Sequence, residues 1–483
     1  MMLYDLLAAA NIEELQGIQN IDIKRIHINT EQAINDSEKN ILFICIKGAN
    51  YDTHEDIQRL LDNGIFNIIS EKSHDTRIIK TENTRKALAL ISRAFYGFPD
   101  KELIKVAITG TKGKTTVSYM LHEILSEAGI PCGIIGTNGI IYNGETYDCE
   151  NSTPGSMEFY YHLRKMVDIG VTHVLCEVTS QALKQFRTFG TKFNTAVFTN
   201  LYPDHIGRNE HDNFEEYKSC KLRLFSCCEN AVINLDSDFS RDFINECNNN
   251  AVGYKTYSSS CSSADVYCKK ESSKCNSSDF TVNKTKFTIN LPGEFNISNA
   301  LCSILVAEQL GVELKYILSG LEKVKIPGRC EKVENPCGVN IIIDYAHTGE
   351  SLKSILQSLK KNCKGKLYVL FGAGGDRSRL RRSGMGEAAS EYADFSVITS
   401  DNPRSENRNI IICDILTGVK GKNYIVIPER EDAIKYLLSV AKKGDTVLLA
   451  GKGVQNYQEI NGVKYPFDER IAVAEFYKNN FRK

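Results

Sequence analysis

Short apolar runs, each closed by a glycine or polar turn and mostly followed by a stretch with helical spacing, recur along this chain. Ile41-Leu42-Phe43-Ile44-Cys45-Ile46 is one such run, suited to a buried strand. Residues 47–50 turn out of it, residues 54–63 have the spacing of an amphipathic helix, and residues 66–70 read as a second strand. The sharpest case is Val106-Ala107-Ile108-Thr109, then a glycine-broken turn over 110–116, then residues 117–125 with helical apolar spacing. Further strands are expected at 132–136, 171–176 and 195–200. From Gly328 the pattern starts afresh, with strands at 339–344, 366–371, 395–399 and 445–450. Strands alternating with helices predict mostly parallel sheets with crossover helices, and ligands gather at the carboxyl ends of such strands.

This pattern divides the chain into an α/β protein of three domains. Residues 1–98 form a small N-terminal α/β domain, and 95–100 read as a linker. Residues 99–327 form a central domain with a mostly parallel sheet and a phosphate loop. Residues 328–483 form a C-terminal Rossmann-like domain. The Ser-rich, polar segment 256–278 is expected to be an exposed excursion.

Composition changes this picture little. The 483 residues leave room for about three cores. An apolar share of 42% and a charged share of 25% are ordinary for a globular protein. The net charge of −1 carries no footprint for nucleic acid or an anionic membrane. No apolar stretch reaches the ~18 residues of a membrane-crossing helix. The start Met1-Met2-Leu3-Tyr4-Asp5 lacks the basic and apolar regions of a signal peptide, so a cytoplasmic protein is expected. The 16 cysteines are scattered and read as reduced thiols. Cys261, Cys268 and Cys275 recur every seven residues without the Cys-x-x-Cys pairing of zinc sites.

The candidate chemistry begins at Gly110-Thr111-Lys112-Gly113-Lys114-Thr115-Thr116. Glycines let backbone N–H groups approach phosphate oxygens, and the following helix adds a partial positive charge. Lys114 then reaches the β/γ-phosphates and the Thr115 hydroxyl ligates Mg²⁺. A strict Walker loop has glycine where Ile108 stands, so this is a shortened form. Glu177, Asn200 and His205 fall at or just beyond strand ends beside this loop.

Other motifs follow in a fixed order. They are Asn151-Ser152-Thr153-Pro154; Glu177-Val178-Thr179-Ser180-Gln181-Ala182-Leu183 with Arg187; Phe198-Thr199-Asn200; Asp204-His205; and Tyr217-Lys218-Ser219-Cys220-Lys221-Leu222-Arg223-Leu224-Phe225. Then come Pro292-Gly293-Glu294-Phe295-Asn296-Ile297-Ser298-Asn299, Pro327-Gly328-Arg329, Asp344-Tyr345-Ala346-His347, Asp401-Asn402-Pro403-Arg404 and Gly451-Lys452-Gly453. The set resembles the Mur ligases, in particular the MurE branch that adds a diamino acid to UDP-N-acetylmuramoyl-L-Ala-D-Glu during peptidoglycan synthesis. The match runs from about residue 105 to 467 and is weak before that, where Asn29-Thr30-Glu31 stands in place of the family's Asp-Ser-Arg.

The resemblance implies an ATP-dependent acid–amino-acid ligase with an acyl-phosphate intermediate. Its cofactors are ATP and Mg²⁺, and its partners are the UDP-linked muramoyl-dipeptide and a diamino acid; a monomer is expected. Lys114, Glu177, His205 and Lys221 form the implied catalytic set, and Thr115, Glu177, His205 and a carbamylated Lys221 the implied metal ligands. Burial would lower a lysine's pKa and favour carbamylation, whereas a surface lysine beside Lys218 and Arg223 is the plainer reading. The implied ATP contacts are Gly110 to Thr116, Asn138, Asn296, Asn299, Arg329 and Asp344, although Asn296 alone reads equally as a helix cap. Ser152, Thr153, Thr179 and Arg187 match the muramoyl-dipeptide surface, and Thr30, in the diverged N-terminal domain, is a candidate contact to the uridine diphosphate.

Arg377, Asp401, Asn402, Arg404, Gly451 and Gln455 match the pocket for the added amino acid. meso-Diaminopimelate has a distal carboxylate that lysine lacks, and arginine pairs with carboxylate in a two-pronged fork. Arg404 and Arg377 therefore favour diaminopimelate over L-lysine. Four features depart from that branch. Gly451-Lys452-Gly453-Val454-Gln455 ends in glutamine in place of glutamate. Arg381-Arg382-Ser383 and His347-Thr348-Gly349 each lack the family's proline. Residues 203–211 are worded more like the lysine-adding branch. A folylpolyglutamate-synthetase-like ligase and a non-catalytic nucleotide-binding paralogue are the competing readings. Three substrates on three domains imply domain closure, with a hinge near Pro327-Gly328.

Overall fold

A computed structural model describes residues 1–13, 17–48, 51–72, 78–204, 206–207, 210–273 and 277–480. Three main sheets follow one another along the chain, and a two-stranded antiparallel sheet, Tyr457–Ile460 with Val463–Pro466, comes after them in sequence. The first has four short parallel strands in chain order, Arg25–His27, Ile41–Ile44, Ile68–Ser70 and Ile79–Lys80. Successive side chains of a strand face opposite ways. Leu42 and Ile44 therefore join a cluster with Leu3, Leu7 and Ile91, while Phe43 packs with Leu60, Ile65 and Ile68 on the other face.

The second sheet has eleven strands. Its parallel centre, in spatial order, is Val266–Ser273, Gly253–Ser258, Cys228–Asn234, Phe193–Phe198, Ile104–Thr109, His173–Glu177 and Cys132–Gly136. Antiparallel strands extend both edges. Continuous Val/Ile/Ala runs fit strands covered on both faces. Helices Lys114–Glu127, Glu294–Gln309 and Leu314–Lys323 bury Val117, Leu121, Ile124, Leu301, Leu305 and Leu321 against one face. Helix Ser156–Asp168 buries Phe159, Tyr160, Leu163 and Met166 against the other.

Ile104–Thr109 lies between two strands that reach it from opposite sides of the chain's path. Ile108 pairs with Glu177, and Thr109 with Phe198. The crevice of a doubly wound sheet opens at such a reversal of strand order. The residues after Thr109, Glu177 and Phe198 thus converge.

The third sheet has six strands in the order Glu331–Val333, Asn340–Asp344, Thr446–Ala450, Leu367–Phe371, Phe395–Ile398 and Tyr424–Val426, all parallel except the first. Ile341, Ile343, Val447 and Leu449 face one layer, whereas Ile342 and Leu448 face the other. Every glycine or polar turn singled out after Gly328 leaves the carboxyl end of one of these strands.

Two local expectations change. Residues 256–278 do not form an exposed excursion: strands Gly253–Ser258, Val266–Ser273 and Ser278–Val282 carry the central sheet outward, and Tyr257, Val266, Cys268, Phe280 and Val282 are buried. The exposed Ser259, Ser260, Ser262 and Ser263 lie in the connection between two of these strands, whereas Ser258 and Ser278 are themselves buried. Cys275 lies outside the described residues. Residues 95–100 also hold defined structure, because Arg93 donates to both oxygens of Asp100 at 2.8 and 2.9 Å.

Candidate functional site

The phosphate loop is assembled by backbone contacts. Gly110 has φ +144, and a Cβ there would lie 2.0 Å from Thr199 Oγ1, so only glycine allows this approach. The N–H of Thr111 donates to Asn200 O at 2.9 Å, and that of Lys112 to Asn200 Oδ1 at 2.9 Å. Thr199 Oγ1 donates to Lys112 O at 2.6 Å. The neighbouring strand therefore shapes the loop, and helix Lys114–Glu127 starts from Gly113 without a side-chain cap. Its first N–H groups and its dipole face the loop.

Lys114 and Lys221 converge on one oxygen. Lys114 Nζ donates to Gly110 O at 2.8 Å and to Thr111 O at 3.2 Å, and Lys221 Nζ donates to Gly110 O at 3.0 Å. Lys221 lies on helix Phe214–Leu222, with its nitrogen 4.7 Å from the Tyr217 ring centre. Burial pushes Lys114 down to about 8; Glu177 opposes this, and the charges of Lys112 and Arg329 add to it. Burial, and then the charge of Lys114, holds Lys221 well below the ordinary lysine range. Lys221 is 2% exposed, so it is not the surface lysine of the plainer reading.

Glu177 ends the neighbouring strand on the other side. Its carboxylate accepts from Thr137 N at 3.0 Å and from Thr137 Oγ1 at 2.9 Å. Gly136 leaves room for it, since a Cβ there would lie 2.4 Å from Oε1. Thr153 Oγ1 donates to Glu177 O at 2.7 Å and accepts from Thr179 N at 3.1 Å. Arg187 Nη1 donates to Thr153 O at 2.6 Å, and Ser152 Oγ lies 2.8 Å from Thr137 Oγ1. Ser152, Thr153, Thr179 and Arg187 are thus one polar cluster beside Glu177.

A third group sits where the second and third sheets meet. Asn138 Nδ2 donates to Pro327 O at 3.1 Å. Asn296 Nδ2 donates to Pro292 O at 2.8 Å, within the turn that starts helix Glu294–Gln309, and Asn299 Nδ2 donates to Asn296 Oδ1 at 3.3 Å. The Arg329 guanidinium lies 4.4 Å from the Tyr345 ring centre. Asp344 accepts from Cys330 N and Ala346 N, each at 2.8 Å, and burial raises its pKa against the pull of Arg329.

On the third sheet, Arg404 has φ +51; its Nη1 donates to Gly375 O at 2.6 Å and its Nε lies 3.3 Å from Glu459 Oε2. Asn402 joins Gln455 Oε1 at 2.8 Å and accepts from Lys452 Nζ at 2.8 Å. Burial would raise Asp401, but Lys452 and Arg430 hold it below the usual carboxylate value. Gly451, φ +115, passes Asp401 closely. Arg377 Nη1 reaches Glu210 Oε1 at 3.3 Å, and Arg381 pairs with Asp204, so cations of this sheet contact the strand-end loops of the central one.

One cleft of about 2190 Å³ joins these groups. It is lined by Thr111 to Thr116, Asn138, Ser152, Glu177, Thr179, Arg187, Lys221, Asn296, Asn299, Arg329, Asp344, Arg377, Asp401, Asn402, Arg404, Gly451 and Gln455. Gly110 and Thr153 lie beneath its wall, where they position Lys114, Lys221 and Glu177. His205 lies outside the described residues. Thr30 does not line the cleft; its hydroxyl donates to Asp56 Oδ2 at 2.5 Å beside the first sheet. Sequence reading passed over Thr137, Glu459 and the buried pair Arg430–Glu469 at 2.7 Å. Each is an ordinary residue in sequence, and only the fold brings it to its partner.

Two family models match the chain: the Mur ligase middle domain over residues 108–307, and the Mur ligase, glutamate ligase domain over 328–453. The chain belongs to the Mur ligase family. A UDP-N-acetylmuramoyl-L-alanyl-D-glutamate–2,6-diaminopimelate ligase of Clostridium tetani is 37% identical, covering 98% of this chain and 99% of its own. A ligase of the same name from Bacillus licheniformis is 37% identical over 95% of each chain. A solved structure of a ligase so named aligns with TM-score 0.68 and 28% identity over 98% of this chain and 99% of its own. The MurF ligase of Thermotoga maritima in complex with ADP aligns at TM-score 0.61 and 19% identity over 94% of this chain and 97% of its own, a likeness of fold. No helix among the described residues is long and apolar enough to cross a membrane.

Proposed function

We propose that this enzyme joins a diamino acid, meso-diaminopimelate in preference to L-lysine, to the D-Glu carboxylate of UDP-N-acetylmuramoyl-L-Ala-D-Glu, with ATP consumed to phosphate and ADP. The observation that carries the reading is the single cleft that places Lys114 and Lys221 on one wall and Arg377 and Arg404 on the other. The near-full-length relatives that bear this activity in their names support it. In this reading the units are 1–98, 99–327 and 328–483, with ATP and the dipeptide end of the UDP-sugar on the second and the amino acid on the third.

The roles follow from the contacts. The loop N–H groups, the helix N-terminus and Lys114 take the β/γ-phosphates of ATP, Arg329 also contacts phosphate, Asn296 and Asn299 take the adenine, Asp344 the ribose, and Asn138 is a further nucleotide contact. Ser152, Thr179 and Arg187 hold the dipeptide end of the UDP-sugar beside Glu177, over Thr153, and Thr30 remains the candidate for the uridine end. The γ-phosphoryl passes to the D-Glu carboxylate, the amine displaces phosphate from the resulting acyl phosphate, and an amide forms. Arg404 and Arg377 pair with the distal carboxylate of the incoming amino acid, and Asp401, Asn402, Gly451 and Gln455 shape its pocket.

Mg²⁺ fits the central wall. Glu177 is buried and accepts from the neutral Thr137 N–H and hydroxyl, Thr115 lies in the first turn of helix Lys114–Glu127, and burial holds Lys221 toward the neutral form that carbamylation needs. Thr115, Glu177, His205 and carbamylated Lys221 are the residues that would hold it. When bound, Mg²⁺ neutralises charge that develops on the transferring phosphoryl group. The test is phosphate release with ATP, Mg²⁺ and the UDP-linked dipeptide, with meso-diaminopimelate and L-lysine in parallel. Release that requires diaminopimelate is expected. Release only with lysine would overturn the selectivity, and none with either would overturn the ligase reading.

A further inference from the structure

Behind the phosphate-loop wall, three side chains of ligating type meet on one face of helix Phe214–Leu222. His211 Nδ1 lies 3.7 Å from Glu216 Oε2, and the ligating atoms of His211, Glu216 and Cys220 all lie within 4.8 Å of one another. Glu216 and Cys220 are four residues apart and so share a helix face. His211 precedes the helix's N-cap, Asn213, and faces back onto it. His211 and Cys220 are buried.

The second nitrogen of His211, Nε2, lies 2.9 Å from Ser180 Oγ. A metal-bound imidazole is ordinarily oriented through its other nitrogen in this way. Bonds of about 2.0–2.3 Å in a tetrahedron set ligand atoms about 3.3–3.8 Å apart, which the His211–Glu216 spacing meets. Lys184 Nζ holds Glu216 through the other oxygen, Oε1, at 2.8 Å, and the Asp212 N–H donates to Oε2 at 2.8 Å. The carboxylate is thereby fixed with Oε2 toward the histidine. The plain alternative is a hydrogen-bonded core histidine with a cysteine as a small apolar filler.

We infer that His211, Glu216 and Cys220 form a binding site for a thiophilic divalent cation of the zinc class, distinct from the Mg²⁺-type residues that face the phosphate loop. A nitrogen, an oxygen and a sulfur suit zinc and do not suit the hard, oxygen-seeking magnesium ion. Binding forms a sulfur–metal bond and releases the Cys220 thiol proton to solvent. Lys221 is the next residue, and its Nζ donates to Gly110 O, so an occupied site pins the helix that carries Lys221. The inference does not depend on which amino acid the enzyme adds, or on whether it adds one.

The test uses the full-length protein, stripped with a chelator and titrated with Co²⁺. The expected result is a thiolate-to-cobalt charge-transfer band that saturates at one equivalent, yields to Zn²⁺ and resists excess Mg²⁺. Cys220→Ala should lose the band while it keeps the wild-type circular dichroism, and His211→Gln should weaken Zn²⁺ binding at least about tenfold. Absence of the band in the wild-type protein overturns the inference, and so does a band that persists in Cys220→Ala. Should Cys220→Ala fail to fold, the wild-type spectrum and His211→Gln still decide.

Discussion

The two walls of the cleft are both built at the carboxyl ends of parallel strands, yet they handle positive charge differently. On the central wall Lys114 and Lys221 donate to main-chain carbonyls; burial lowers both, with the charges of Lys112 and Arg329 adding to it at Lys114 and that of Lys114 at Lys221. On the opposite wall the cations already have side-chain partners, Arg404 with Glu459 and Arg377 with Glu210, and behind it the buried Lys452 has Asn402 and the buried Arg430 has Glu469. A cation held by neutral carbonyls gains strongly when a polyanion arrives. A cation paired with a carboxylate gains only by exchange, and exchange is selective for a ligand that satisfies both partners. The first wall is suited to phosphate transfer, the second to choosing among amino acids.

The largest effect expected from this contrast is on the central wall. Lys114→Ala should lower phosphate release at least about 10³-fold in steady-state kinetics, since no neighbouring cation replaces a charge aimed at the phosphoryl group. A loss below tenfold would mean that Lys112 or Arg329 supplies the charge instead. Next is a stability effect behind the other wall. Glu469→Ala leaves the buried Arg430 with only the Asp401 carboxylate, 4.0 Å away, and should cost about 3 kcal/mol in denaturant unfolding. Arg404→Ala should then reduce the preference for diaminopimelate over lysine by about 100-fold in kcat/KM, and Arg404→Lys should not restore it, because a single ammonium lacks the fork.

The smallest effect is a pH dependence. With Lys114 at about 8 in the free enzyme, the lysine is charged below that pH and neutral above it. A bound polyanion raises the pKa again, so nucleotide binding above pH 8 takes up a proton and should weaken by up to about tenfold per pH unit. Calorimetry in buffers of different ionisation heat measures the uptake. The stability contribution has the same origin. The folded pKa lies below the unfolded one, so between pH 8 and about 10.5 the unfolded chain binds more protons and stability rises with pH from this group. No proton uptake at pH 8.5 would break the contrast between the walls.

Legibility differed by region for physical reasons. The phosphate loop reads directly because its chemistry is local: strand, glycine turn, lysine and helix are adjacent in the chain. The turns after Asp344, Phe371, Ile398 and Ala450 read equally well, since each follows an apolar run. Segment 256–278 misled because a serine-rich connection, 259–263, interrupts strands that bury Tyr257, Val266 and Cys268, and because two of its strand serines, Ser258 and Ser278, are themselves buried. Thr137 escaped notice because its role, two hydrogen bonds to a carboxylate forty residues away, leaves no local pattern. Thr30 sits in a stretch that diverges from the family wording, and its hydroxyl is committed to Asp56.

By itself the sequence determined which segments are strands covered on both faces, where each chain of helices and strands restarts, and which residue types stand at the strand ends. Those follow from side-chain periodicity and glycine turns, which act over a few residues. Only the tertiary structure decided that Lys114 and Lys221, more than a hundred residues apart, share the carbonyl of Gly110, and that Arg404 faces Glu459. The hairpin strand Tyr457–Ile460, passing beside Arg404, sets the second of these meetings. Strand order at the reversal point sets the first. It also removes the water that would otherwise leave both lysines at their ordinary pKa.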